Sequence, residues 1–219
     1  MIEKSKIKKI IGYLTDLGMS RTLLSMQNNG YLIETGWLNS YKKKQPIDKN
    51  NIPIPWVTYS FIEFIKPFLT SEKTLFEFGS GNSTLFYASK VKHVFTAEHN
   101  REWFEKINNI VPSNVTIKFF ELDGLDYVRS ILLFDNKFDI VIIDGRKRNE
   151  CIKNTVNKIT ETGIIVLDDS ERSDYNEGID FLAANGFLKI DFWGPSPGYF
   201  HNKCTSIFYK NFNEFLFQK

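Results

Sequence analysis

From residue 73 onward, short apolar runs alternate with stretches of helical spacing. The runs fall at 74–78, 93–98, 115–122, 138–144, 163–168, 187–193 and 204–210, each about the length of one strand. The first five are separated by segments long enough for a helix, so they should lie parallel and be joined by right-handed crossovers. Between the last two lies Gly-Pro-Ser-Pro-Gly-Tyr-Phe-His-Asn-Lys (194–203). That stretch is rich in turn residues and lacks helical periodicity, which predicts an antiparallel hairpin. The pattern therefore predicts an α/β fold: a doubly wound sheet of seven strands, five parallel plus a C-terminal antiparallel hairpin.

Residues 1–70 read differently. Ile7, Ile10, Ile11, Leu14 and Leu17 share one helical face, with Lys4, Lys6, Lys8 and Lys9 elsewhere on the segment. Such a basic amphipathic helix could pack on its own domain, on a second subunit in a homodimer, or peripherally on a membrane surface. The Lys42-Lys43-Lys44 run reads as part of a solvated loop. The stretch from Gln45 to Pro55, with three prolines among Asp and Asn residues, reads as a loop. Helical spacing resumes from Trp56 to Leu69. The division is thus a helical cap over 1–70 and a core over 71–219, together of one-domain size at 219 residues.

Charge refines this division. The net +2 of the whole chain is too small for a broad nucleic-acid footprint, so no nucleic-acid partner is expected. It hides an asymmetry: residues 1–70 hold 10 Lys/Arg against 5 Asp/Glu, and residues 71–219 hold 18 against 21. No apolar run approaches the roughly 18 residues of a membrane span, and residues 1–6 lack the apolar stretch of a secretion signal. Cys151 and Cys204 lie far apart without metal-binding spacing. Two reduced thiols in a cytoplasmic protein are the expectation.

Chemistry concentrates where the first strand ends, in Leu75-Phe-Glu77-Phe-Gly79-Ser80-Gly81-Asn82-Ser83-Thr84. Gly79 and Gly81 allow a sharp turn and close backbone approach to a ligand, and a helix start offers free N–H groups. Two-glycine turns also serve as plain connections between a strand and a helix. Glu98 shifts that balance: it ends the second strand 21 residues after Glu77, near the interval at which nucleotide-binding βαβ units place an acid on ribose hydroxyls. The third glycine of the dinucleotide fingerprint is absent, Thr84 standing in its place.

Glu77-Phe-Gly79-Ser-Gly81-Asn-Ser83 resembles the first motif of class I S-adenosylmethionine-dependent methyltransferases, with Ser83 in place of the last glycine. The resemblance runs over residues 70–210 and implies a Rossmann-like fold with S-adenosylmethionine as cofactor. It assigns cofactor binding to Glu77, Gly79, Ser80, Gly81, Asn82 and Ser83, ribose binding to Glu98, adenine binding to Asp123-Gly124, and the methionine end and substrate to Asp144; His99, next to Glu98, could flank the adenine or be a bystander. Two segments, Phe138 to Arg148 and Gly163 to Arg172, look like small methyltransferase-like proteins of bacterial surface-polysaccharide gene clusters, implying a small-molecule or glycan-linked hydroxyl as acceptor. The same segments loosely resemble catechol-type O-methyltransferases, which would make Asp144 and Asp169 ligands of Mg²⁺. Oxygen methylation benefits from a base, and Asp144 is the first candidate, with Asp169 second. Arg146, with Lys147 and Arg148, could hold an anionic substrate. Trp56 and Tyr59 could close over the site or belong to the core; His201, in the loop between the last two strands, could lie at the site but reads first as a surface residue. The competing readings are a non-catalytic protein that keeps the fold and a nicotinamide-dependent oxidoreductase.

Overall fold

The computed structural model describes residue 26 and residues 29–211. Its seven strands are β1 (Thr74–Phe78), β2 (His93–Glu98), β3 (Val115–Phe119), β4 (Phe138–Ile143), β5 (Ile159–Asp168), β6 (Leu188–Gly194) and β7 (Lys203–Tyr209). They form one sheet in the order β3-β2-β1-β4-β5-β7-β6. Pairings among β1 to β5 are parallel, and β7 pairs antiparallel with both β5 and β6. The expected doubly wound sheet with its C-terminal hairpin is what forms.

The central strands are covered on both faces, which is why they read as nearly continuous apolar runs. Successive residues alternate between two clusters. Leu75, Ile140, Ile142, Ile164, Val166 and Ile207 point to one, and Phe76, Phe78, Val141, Ile143, Ile165, Leu167 and Phe208 to the other. The first face is covered by α3 (Tyr59–Ile65) and α4 (Asn82–Ala88), which follow two short helices, α1 (Tyr31–Glu34) and α2 (Trp37–Lys43). The second is covered by α6 (Asp126–Arg129), α7 (Arg148–Thr155) and α8 (Asn176–Ala184). Helix α5 (Arg101–Asn108) lies between β2 and β3 in sequence and contacts both. Phe61, Ile62 and Ile65 of α3 are wholly buried in the first cluster, so the segment before β1 shares its core with the strands.

Several boundaries differ from the sequence pattern for local reasons. Strand β3 ends at Phe119, three residues early, where the chain turns into the exposed stretch that includes Glu121 and Asp123. Strand β5 begins four residues early, because a bulge separates the Phe138↔Ile159 pair from the Ile140↔Ile164 pair. Gly163 sits in that bulge, where a Cβ would stand 2.9 Å from the Asp139 carbonyl oxygen. The helix from Trp56 begins only at Tyr59 and tightens into a 3₁₀ turn over Lys66–Phe68, where Pro67 removes a backbone donor. Lys42 and Lys43 belong to the last turn of α2 rather than to a loop. The amphipathic segment from Ile7 to Leu17 lies outside the described residues. Cys151 and Cys204 are buried and free. Among the described residues, no helix is long and apolar enough to cross a membrane.

Candidate active site

The chain crosses from β3 back to β4, beside β1, so the sheet's winding direction reverses between β1 and β4. In such sheets a crevice opens at the C-terminal strand ends. Here it is a cavity of about 960 Å³, within the range of ligand pockets. Glu77, Gly79, Ser80, Ser83, Glu98, His99, Asp144 and Arg146 all line it. Three of the sequence-predicted acids, Glu77, Glu98 and Asp144, therefore converge with the turn at Gly79.

Gly79 has φ 99°, a conformation that disfavours any side chain, and it leads the chain out of β1 beneath the start of α4. Its N–H donates to the Ala97 carbonyl at 2.9 Å, and Thr96 Oγ1 donates to the Gly79 carbonyl at 2.7 Å. Glu98 completes the brace. Its Oε2 accepts from the Ser80 N–H (3.0 Å) and hydroxyl (2.7 Å), and its Oε1 accepts from the N–H groups of His99 and Asn100, both at 2.8 Å. All its lone-pair positions are engaged. Trp103, at the start of α5, stands over Gly81 and donates from Nε1 to the Ser80 carbonyl at 2.7 Å.

At the other side of the crevice three carboxylates gather. Asp144 follows β4, Asp168 ends β5 and Asp169 follows in a left-handed conformation, φ 53°. Lys203, the first residue of β7, is buried and reaches Asp168 Oδ2 at 2.9 Å and Asp169 Oδ1 at 2.7 Å. Thr205 donates to Asp168 Oδ1 at 2.7 Å. Arg148 pairs with Asp144 at 3.0 Å and Asp169 at 3.5 Å, and Arg172 with Asp169 at 2.9 Å. Asp144 keeps 26% side-chain exposure and faces the cavity. Burial and the neighbouring Asp168 push its carboxyl up to about 7, against the pull of Arg148 and Lys203. Glu77 is buried and accepts from Thr84 Oγ1 at 2.6 Å. Burial lifts it to about 8, with Asp144 and Glu98 adding to the rise.

Not every predicted residue joins the main cavity. Gly81 and Asn82 line an adjoining pocket of about 310 Å³, where Asn82 Nδ2 donates to the Pro46 carbonyl. Asp169 lines a third pocket, with His201 at its wall. Asp123 and Gly124 are exposed; the Gly124 carbonyl, like that of Leu122, accepts a hydrogen bond from Lys147 Nζ. The Arg146 to Arg148 run separates: Arg146 is exposed at the cavity, Lys147 is tied to that loop, and Arg148 is buried among the acids. Trp56 lines all three pockets, whereas Tyr59 is in the core.

No family model matches the chain, and no curated protein matches it in sequence. Solved structures do match. A candidate O-methyltransferase from Klebsiella pneumoniae superposes with a TM-score of 0.60 over 87% of this chain and 94% of its own, at 16% identity. A candidate caffeoyl-CoA O-methyltransferase from Staphylococcus aureus gives 0.55 over 89% and 100%, at 19% identity. Precorrin-6y C5,15-methyltransferase from Geobacter metallireducens gives 0.53 over 76% and 97%, at 16% identity. The fold is the Rossmann-like methyltransferase fold.

Within this methyltransferase fold the acid cluster does not fit Mg²⁺. The oxygens of Asp144 and Asp169 face Arg148, Arg172 and Lys203, and a divalent cation would have to displace those charges. Among the described residues no group of three or more His, Cys, Asp or Glu side chains could hold a metal ion. Sequence reasoning missed Lys203, Trp103, Arg172 and Asp168 as parts of the site. Only Asp168 carried a signal, as the first of two adjacent acids at a strand end.

Replacing Lys203 with Met should leave the buried Asp168 without its ion-pair partner, Asp169 keeping Arg148 and Arg172, and cost about 3–5 kcal/mol of stability. Urea unfolding should show the largest loss near neutral pH, shrinking as acid protonates the stranded carboxylate. A loss below about 1 kcal/mol at neutral pH would mean that the ion pairs do not hold the cluster.

Proposed function

We propose that the chain is an S-adenosylmethionine-dependent methyltransferase acting on a hydroxyl oxygen of a small-molecule or glycan-linked acceptor. The observation that carries this reading is the convergence of the glycine turn, Glu77, Glu98 and Asp144 on one cavity at the point where the sheet reverses. The residues present suit that cofactor. A cavity of about 960 Å³ has room for a nucleoside joined to an amino acid, and Asp144, joined by Glu77 as pH rises, supplies negative charge for its cationic groups. When bound, the cofactor supplies an electrophilic methyl group on a positively charged sulfur.

The protein's own residues do the rest. Gly79 lets the backbone approach closely, and Glu98 accepts from a ribose hydroxyl, with the Ser80 hydroxyl turning away to free a lone pair. Gly124 and Asp123 border the adenine side on a loop held by Lys147. Asp144 would take the acceptor's hydroxyl proton, freeing that oxygen to receive the methyl group that the cofactor, when bound, would supply. Arg148 keeps the Asp144 carboxylate oriented. Trp56 and Tyr199, both lining the cavity, limit water around the reacting atoms.

Ionisation of Asp144 and Glu77 between about pH 6 and 9 follows from their raised values. Calorimetry should therefore show S-adenosylmethionine gaining affinity over neutral-sulfur S-adenosylhomocysteine as pH rises, by roughly three- to tenfold. A ratio independent of pH would remove these carboxylates from the sulfonium's surroundings. Binding of NADH with no response to either adenosyl compound would favour the oxidoreductase reading instead. In an untargeted acceptor screen with labelled S-adenosylmethionine, Asp144→Asn should retain cofactor and lose about 10²–10⁴-fold in turnover. Unchanged turnover would eliminate Asp144 as the base, and an absence of any acceptor would support a non-catalytic role.

A further inference from the structure

The third pocket, of about 240 Å³, shares Trp56, Asp144, Arg172 and Tyr199 with the main cavity and extends to Asp168, Asp169, His201 and Lys203. Its two sides differ in chemistry. On one, the rings of Trp56 and Tyr199 lie with centroids 5.4 Å apart at 38°. The Trp56 ring is held by its Nε1, which donates to the Pro197 carbonyl at 2.8 Å, and the backbone of Tyr199 is held by Trp37 Nε1, which donates to its carbonyl at 2.9 Å. The His201 ring adds an edge, 5.0 Å from that of Tyr199. On the other side stand the three carboxylates and the cations paired with them.

We propose that this pocket is the acceptor subsite and that it takes an uncharged cyclic polyol, a ring with one apolar C–H face and a rim of hydroxyls. The inference rests on the methyltransferase reading of the adjoining cavity. Charge balance supports it: Asp144, Asp168 and Asp169 are matched by Arg148, Arg172 and Lys203, so neither an anion nor a cation finds an uncompensated partner. An anion would meet three carboxylates, and a cation would meet Lys203 and Arg172. A flat aromatic acceptor would find an apolar surface on one face only, while covering the ionic wall with groups that cannot replace its lost water. A polyol matches both sides. Its C–H face rests on the Trp56 and Tyr199 rings, and its hydroxyls donate to carboxylates and accept from Lys203 and Arg172. Asp144 borders both cavities, so a hydroxyl held here lies beside the candidate base. Of the Arg146 to Arg148 run, Lys147 and Arg148 are already engaged, and Arg146 lines the main cavity rather than this pocket.

Saturation-transfer difference NMR on the full chain, with and without S-adenosylhomocysteine, tests this. The probes are the methyl glycosides of glucose, galactose and mannose, compared with glucuronate, glucosamine and catechol. At least one neutral glycoside should show transfer strongest on its ring protons. The signal should vanish in Trp56→Ala and persist in Trp56→Phe, with both variants checked for folding by thermal unfolding. Absence of transfer to every neutral glycoside, stronger transfer to a charged probe or to catechol, or a signal that survives in Trp56→Ala would overturn the proposal. Calorimetry with S-adenosylhomocysteine on the same samples keeps the two claims apart. Failure of that compound to bind counts against the methyltransferase reading, whereas glycoside transfer reports on the pocket alone.

Discussion

Three carboxylates at the ends of two neighbouring strands repel one another, and the site depends on what holds them together. Burial makes the problem acute, because an unpaired charge away from water is costly. The solution lies in the topology. β7 runs antiparallel to β5, so its first residue rather than its last reaches the C-terminal edge of the parallel strands. Lys203 is that residue, and it joins Asp168 to Asp169. Arg148, one turn into the chain after β4, binds Asp144 from the other side. The reversed strand thus has a chemical consequence as well as an architectural one: it delivers a cation to the place where the parallel strands deliver acids.

The opposite side of the crevice is built from hydrogen bonds rather than ion pairs. Glu98 ties the turn after β1 to the turn after β2 through four N–H and O–H donors. It fixes the glycine turn at its distance from Asp144 and leaves Glu77 enclosed between them. Enclosure raises Glu77 and Asp144 into the neutral range, where binding a cation and taking up a proton become linked. The oxygens of Asp144 and Asp169 that a metal would need are already taken by Arg148, Arg172 and Lys203.

Much of this was legible in the sequence because it depends on short-range pattern. The first two strands fall at the predicted residues, since Leu75, Phe76 and Phe78 in one and Val94, Phe95 and Ala97 in the other mark them as short β-rich runs. The start of β5 was hidden, because Ile159-Thr-Glu-Thr-Gly163 mixes polar and apolar residues around a bulge that only pairing with β4 defines. Lys203 was hidden for a related reason. A lysine before Cys204 looks like any surface residue until the hairpin carries it across to β5. The Arg146-Lys147-Arg148 run misled in the other direction: adjacent in sequence, the three side chains leave a left-handed turn at Lys147 in different directions and serve different partners. Trp56 and Tyr59 could not be separated by spacing, yet one lines the pockets and the other fills the core.

A crystal structure of the chain grown with S-adenosylhomocysteine addresses the central claim most directly. The account predicts the nucleoside between the glycine turn and Glu98, its ribose hydroxyls on that carboxylate, and the sulfur directed toward Asp144 beside the Lys203-centred ion-pair cluster. A ligand bound elsewhere, or a nucleoside whose sulfur points away from Asp144, would contradict it.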